Sequence, residues 1–140
     1  MNVTLLRETF AQLAPHADDV AAAFYARLFS TFPQLRPLFG DLDFREQRKK
    51  LMASLTLVVN SADRPAVLLP ALDELGRLHG RIGTLPQHYP WVSATLLSVL
   101  ADRLGPRWTP EVAASWEAAL LFVSERMIAA QAGCEVTAAR

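Results

Sequence analysis

The stretch Leu68-Leu69-Pro70-Ala71-Leu72-Asp73-Glu74-Leu75-Gly76-Arg77-Leu78-His79 carries the spacing that decides how the chain is read. Leu68, Leu72, Leu75 and His79 follow one another at steps of four, three and four residues. Such steps put them on one face of a helix, so an apolar stripe ends in a titratable imidazole. Spacing alone leaves two readings open. The commoner is a core histidine hydrogen-bonded to a backbone carbonyl. The other is a single axial ligand facing a cofactor, because neutral imidazole is a good ligand for haem iron.

Outward from this stretch the same three- and four-residue steps recur, and no segment alternates strictly as a half-buried strand would. Prolines and glycines cut the chain into helical blocks. The first runs from about Thr4 to Ala14 and the second from about Asp18 to Phe32. Pro33 opens a short helical turn to Leu38, and Gly40 to Asp43 is irregular. Asp43, with Glu46 three residues on, predicts a helix start, and that helix reaches about Ala62. Asp63-Arg64-Pro65 breaks it and begins the helix of the stripe, which ends near Gly80. Pro70 is expected to kink or split that helix, because proline lacks the amide proton the interior needs. A further helix covers about Tyr89 to Leu104, and Thr109-Pro110-Glu111 supplies cap, first-turn proline and acid for the last one. The fold class is all-α, with about six long helices and short helical turns. One domain over residues 1–140 is expected, with its core at about 4–132 and a frayed tail at 133–140.

Composition narrows the function classes. Formal net charge is zero and no basic stripe appears, so nothing points to nucleic acid as a partner. The lone cysteine, Cys134, cannot form an internal disulfide or a thiolate zinc site. No apolar run approaches the ~20 residues of a membrane span, and no signal-peptide core is visible, so a cytoplasmic protein is expected. Glycine-rich phosphate loops, nucleophile elbows and paired zinc histidines are all missing from the sequence.

Two further features bear on chemistry. Aromatic residues crowd the segment from Phe24 and Tyr25 through Phe29 and Phe32 to Phe39. They are either plain core or the wall of a flat apolar pocket. Gln47 and Leu51, four apart, share a helix face. Taken alone, a glutamine this close to a helix start is expected to be solvated.

In order along the chain, Phe24-Tyr25, Leu28-Phe29, Pro33, Arg36-Pro37-Leu38-Phe39, Gln47 through Leu51, Leu78-His79, His88-Tyr89-Pro90 with Val92, and Trp116 resemble the globins. More narrowly they resemble the single-domain bacterial haemoglobins of the Vitreoscilla type and the globin domain of flavohaemoglobins. The resemblance spans about Leu5 to Gln131 and implies a globin fold around a haem b (iron protoporphyrin IX) pocket. It implies that His79 is the proximal iron ligand, with Tyr25, Gln47 and Leu51 on the distal, ligand-binding side. Phe39, Leu75 and Val92 would pack on the haem, and Tyr89 would support the histidine. Where these relatives carry a late glutamate near that histidine, this chain has Gln131. A neutral amide pushes less electron density toward iron, which argues against peroxidase-like chemistry.

The resemblance implies reversible binding of dioxygen, and of nitric oxide and carbon monoxide. Oxygen transport and nitric oxide detoxification to nitrate are the expected uses. No flavin or nicotinamide segment lies within these residues, so turnover is expected to need an external reductase. The alternative is a haem-free globin-fold module with a sensory or interaction role. The joint presence of His79, Phe39, Tyr25 and Gln47 weighs against it.

Overall fold

The computed structural model describes residues 1–132. Among these there are six α-helices, three of the five connections between them contain a 3₁₀ helix, and no strand occurs. The helices are α1 (Val3–Leu13), α2 (Ala17–Thr31), α3 (Phe44–Ser61), α4 (Pro65–Arg81), α5 (His88–Leu104) and α6 (Pro110–Gln131). A 3₁₀ helix, Pro33–Phe39, leads from α2 toward α3. This is the all-α arrangement that the periodicity predicts. The expected frayed tail, 133–140, lies outside the described residues.

The helix starts follow from local chemistry. The Asp43 carboxylate accepts the Arg45 amide proton at 2.9 Å and caps α3. The Thr109 hydroxyl accepts from the Val112 amide at 3.3 Å, and Pro110 opens α6 where its missing proton costs nothing. Gly105 ends α5 at a φ of 55°, a backbone conformation in which glycine has no Cβ to clash.

One expectation needs correction. Pro70 does not split α4, which is continuous from Pro65 to Arg81. Pro70 falls in the second turn and is exposed, and the carbonyl it leaves without a donor belongs to the equally exposed Ala66. Water can satisfy that carbonyl, so the helix tolerates the residue.

The interior divides into two apolar clusters. The larger joins α1, α2, α3, α5 and α6 around the fully buried Leu6, Leu28, Leu100 and Trp116. Each leucine so buried contributes about 1.5–3 kcal/mol relative to exposure. The one polar atom of Trp116 is satisfied there, since its indole N–H donates to the Thr9 hydroxyl at 2.9 Å. The smaller cluster consists of Val58, Leu68, Leu72, Tyr89 and Met127. Its centre is the packing of α4 on α6, the most extensive helix pair in the molecule.

Gly76 makes that pairing possible. A Cβ at this position would lie 2.4 Å from the Met127 carbonyl oxygen and 2.8 Å from its Cα. The two backbones are therefore closer than any side chain permits. An ion pair fixes the same interface, with Arg126 bidentate to Asp73 at 2.7 and 2.8 Å. The guanidinium holds the Asp73 carboxyl below its ordinary pKa.

Helix α3 reaches the smaller cluster through Val58, close to the turn into α4. Arg7 of α1 clamps this turn region, donating to the carbonyls of Val59 and Asn60 and pairing with Asp63 at 2.8 Å. Toward its other end, α3 packs Leu51 on the larger cluster, while Leu75 of α4 stays with the smaller one. The two helices thus meet at their shared turn and belong to different clusters where Gln47 and His79 stand.

Candidate functional site

Tyr25 sits on the buried face of α2 with Phe24 and Leu28. Rings close around its phenol: Phe24 at 4.9 Å, Phe44 at 5.5 Å, Phe39 at 5.7 Å and Phe29 at 6.0 Å between centroids. Gln47, one turn into α3, is half-buried and donates its amide N–H to the phenol oxygen at 3.1 Å. The solvated glutamine expected from spacing alone is thus not what forms. Burial raises the Tyr25 pKa, and the bond from Gln47 offsets part of the rise. The phenol keeps its proton at neutral pH. The amide donates to the phenol oxygen, so that bond does not consume the phenol's own proton.

His79 lies in the last turn of α4 and is half-buried. Its Nδ1–H donates to the Leu75 carbonyl at 2.7 Å. A carbonyl can only accept, so Nδ1 carries the proton and Nε2 the lone pair. No hydrogen bond to Nε2 is made among the described residues. Burial lowers the His79 pKa, partly countered by the bond to Leu75, so the ring is neutral at pH 7.

A chain of bonds surrounds this turn. The Thr84 amide donates to the His79 carbonyl at 3.0 Å, and the Gln131 amide donates to the Thr84 carbonyl at 2.9 Å. The Tyr89 hydroxyl donates to the Gln131 side-chain oxygen. The Tyr89 ring stands 6.2 Å from the His79 ring, and burial pushes its phenol pKa up to about 12. Tyr89, expected to support the histidine, and Gln131 are therefore bonded to each other, and Gln131 is tied to the turn that follows His79. The His79 proton itself goes to a backbone carbonyl and not to Gln131.

The remaining sequence candidates divide between the two clusters. Phe39, Leu51 and Val92 are half-buried against the larger cluster, and Leu75 against the smaller. Leu78 and Leu85, on either side of the His79 turn in sequence, expose 38% and 46% of their surface, much for leucine. No group of three or more His, Cys, Asp or Glu able to hold a bare metal ion exists among the described residues. A neutral imidazole whose second nitrogen has no hydrogen-bond partner among the described residues instead suits a metal that brings its own planar ring of ligands. The donor set therefore fits a metalloporphyrin.

Four residues that position the site carry weaker signals. Gly76 and Gly80 are four apart, which marks a close-packing helix face, and both are buried. Phe44 continues the aromatic run just past the segment that draws attention. Thr84 acts through its backbone alone, so its residue type gives no clue.

Residues 22–127 match the protein-family model described as Globin. A flavohemoprotein of Rhodopirellula baltica is 28% identical over 128 residues, covering 90% of this chain and 31% of that protein. A flavohemoprotein of Bacillus subtilis is 27% identical over 128 residues, again 90% of this chain and 32% of the relative. A protein of Aquifex aeolicus described as an uncharacterized globin-like protein is 31% identical over 126 residues, covering 90% of this chain and 88% of its own length. The chain thus spans about a third of the flavohemoproteins it matches and most of the globin-like protein. Among the described residues, no helix is long and apolar enough to cross a membrane.

Proposed function

The chain belongs to the globin family, and on that premise we propose that it binds haem b through His79 and takes up dioxygen reversibly beneath Tyr25 and Gln47. The observation that carries this reading is the pair of uncommitted groups. His79 has an Nε2 with no partner among the described residues, and Tyr25 has a phenol proton its bond to Gln47 leaves free. When bound, haem supplies an iron that takes small diatomic gases.

The side chains have separate tasks. The bond from Nδ1 to Leu75 holds the imidazole in one tautomer and aims Nε2 outward, as second partners of ligating histidines do. Phe39, Leu51, Leu75 and Val92 offer apolar walls for the ring and keep water out. Tyr25 donates to a diatomic gas in the pocket, and Gln47 polarises that donor by bonding to its oxygen. A hydrogen bond to a group bearing charge contributes about 1.5–3 kcal/mol, which predicts tight oxygen binding with slow release.

Tyr89 and Gln131 hold the His79 turn against α6 without taking its proton. The histidine stays a neutral ligand, a character suited to binding more than to peroxidase-like cleavage. From the same donor pair we infer a capacity to convert oxygen and nitric oxide to nitrate. The electron it requires would come from a reductase outside these residues. The names of the flavohemoprotein relatives accord with that inference.

The test is a cycle of deoxygenation and re-aeration on the reduced protein. Oxygen and deoxygenated spectra that interconvert without loss are expected, and irreversible oxidation on first contact with oxygen would refute reversible binding. Mixing the oxygenated form with nitric oxide and assaying nitrate tests the second activity.

A further inference from the structure

A surface depression of about 260 Å³ lies beside Tyr25, between α2, the Pro33–Phe39 turn and the start of α3. Ala22, Tyr25, Ala26 and Phe29 form one wall, at the three- and four-residue steps of a single helix face. The two alanines are exposed and leave room where larger side chains would stand. Phe44, Arg36 and Arg48 close the other side.

The two arginines are held differently. The Arg36 guanidinium lies over the Phe44 ring at 4.8 Å and the Phe29 ring at 5.6 Å. Its Nη1 donates to the Gly40 carbonyl at 3.0 Å, and it has no carboxylate within ion-pair distance among the described residues. Arg48 pairs with Asp18 through Nε at 2.8 Å, and that aspartate is largely open to solvent. A pair so exposed is worth little and exchanges readily. The depression therefore combines an aromatic face, small-residue space and two cations, one of them without an acidic partner.

We propose that this depression binds small carboxylates with a flat apolar body, of about the size of benzoate. The carboxylate takes the planar fork of Arg36, a geometry that guanidinium matches and ammonium does not. The apolar body covers Ala22 and Ala26 and lies against Phe29 and Phe44. A site below the ~300 Å³ common for larger ligands holds a single ring or short chain and not a nucleotide. Inorganic phosphate satisfies the cations and makes no use of the apolar wall that Ala22, Ala26 and the two phenylalanines supply. Because Tyr25 is both a wall here and the acceptor of the Gln47 bond, occupancy bears on that hydrogen bond. The binding itself does not rest on the haem assignment, so its failure and that of the proposed function are separable.

The experiment is an NMR titration of the purified full chain with benzoate, with carbon monoxide present to occupy any haem iron. Saturable shifts are expected at Ala26, Arg36, Phe44 and the Gln47 side-chain amide. Benzamide, which has the shape without the charge, and acetate and inorganic phosphate, which have charge without the ring, should each bind about tenfold more weakly or worse. Arg36→Gln and Ala26→Trp should each weaken benzoate about tenfold while helicity is unchanged, and Ala22→Leu provides a second filler of the same space. Shifts centred elsewhere, equal binding of benzamide, or benzoate affinity indifferent to both Arg36→Gln and Ala26→Trp would overturn the proposal.

Discussion

The Gln47 amide donates to the Tyr25 phenol oxygen at 3.1 Å, across the gap between α3 and α2. The direction of that bond matters more than its existence. Were the phenol the donor, its proton would be spent inside the protein. Instead the tyrosine stands protonated, buried and available to a third group.

Replacing Tyr25 by Phe should therefore raise the oxygen dissociation rate about tenfold or more, as loss of about 1.5–3 kcal/mol implies. Gln47→Leu should have a smaller effect, since it removes the polarising partner and spares the donor. Stopped-flow displacement of oxygen by carbon monoxide measures both. A rate within twofold of the parent for Tyr25→Phe would contradict the role assigned to the phenol.

Acid should weaken the protein freed of any cofactor through His79. Burial lowers this pKa below the ordinary 6.5, so the unfolded chain binds the proton more readily than the folded one. Stability is held above pH 6.5 and lost as the pH falls toward the lowered value. His88 is shifted the same way by burial and adds to the slope. Urea denaturation at pH 7.5 and 5.5 should show this loss, and His79→Gln should reduce it. An unchanged slope in that variant would show that His79 does not carry it.

Gly76→Ala should destabilise the fold by about 1–3 kcal/mol, the usual cost of overpacking. The new methyl meets the Met127 backbone, which cannot rotate aside as a side chain could. Chemical denaturation gives the number, and a neutral result would mean that α4 and α6 separate at little cost.

Tyr89→Phe leaves the Gln131 oxygen without its donor and should cost about 1 kcal/mol, the low end for a half-buried group. Gln131→Leu also frees the Thr84 carbonyl. The double variant should lose less than the sum of the single ones, because both break the same bond. Strict additivity would show the two residues to be energetically independent.

Much of the fold was legible because it rests on local rules. Asp43, Thr109 and Pro110 mark helix starts by chemistry that needs no tertiary information. Pro70 does not split α4, an outcome that depends on whether water reaches the Ala66 carbonyl, which periodicity cannot reveal. The site was legible unevenly. Spacing puts His79 on an apolar face but does not say that Nδ1 bonds to Leu75 and leaves Nε2 without a partner among the described residues. Spacing alone makes Gln47 a solvated residue and the resemblance groups it with Tyr25, but the bond between them, across 22 positions of sequence, comes only from the packing of α2 on α3. Thr84 was invisible, since only its backbone takes part.

The most direct test of the account is titration of the purified, cofactor-free chain with hemin, followed by absorption, for the parent and His79→Ala. The parent should take up one equivalent with a sharp Soret band and, on reduction, a five-coordinate ferrous spectrum, while His79→Ala should not bind stoichiometrically. A parent chain that stays colourless, or a His79→Ala variant that loads as well as the parent, would contradict it.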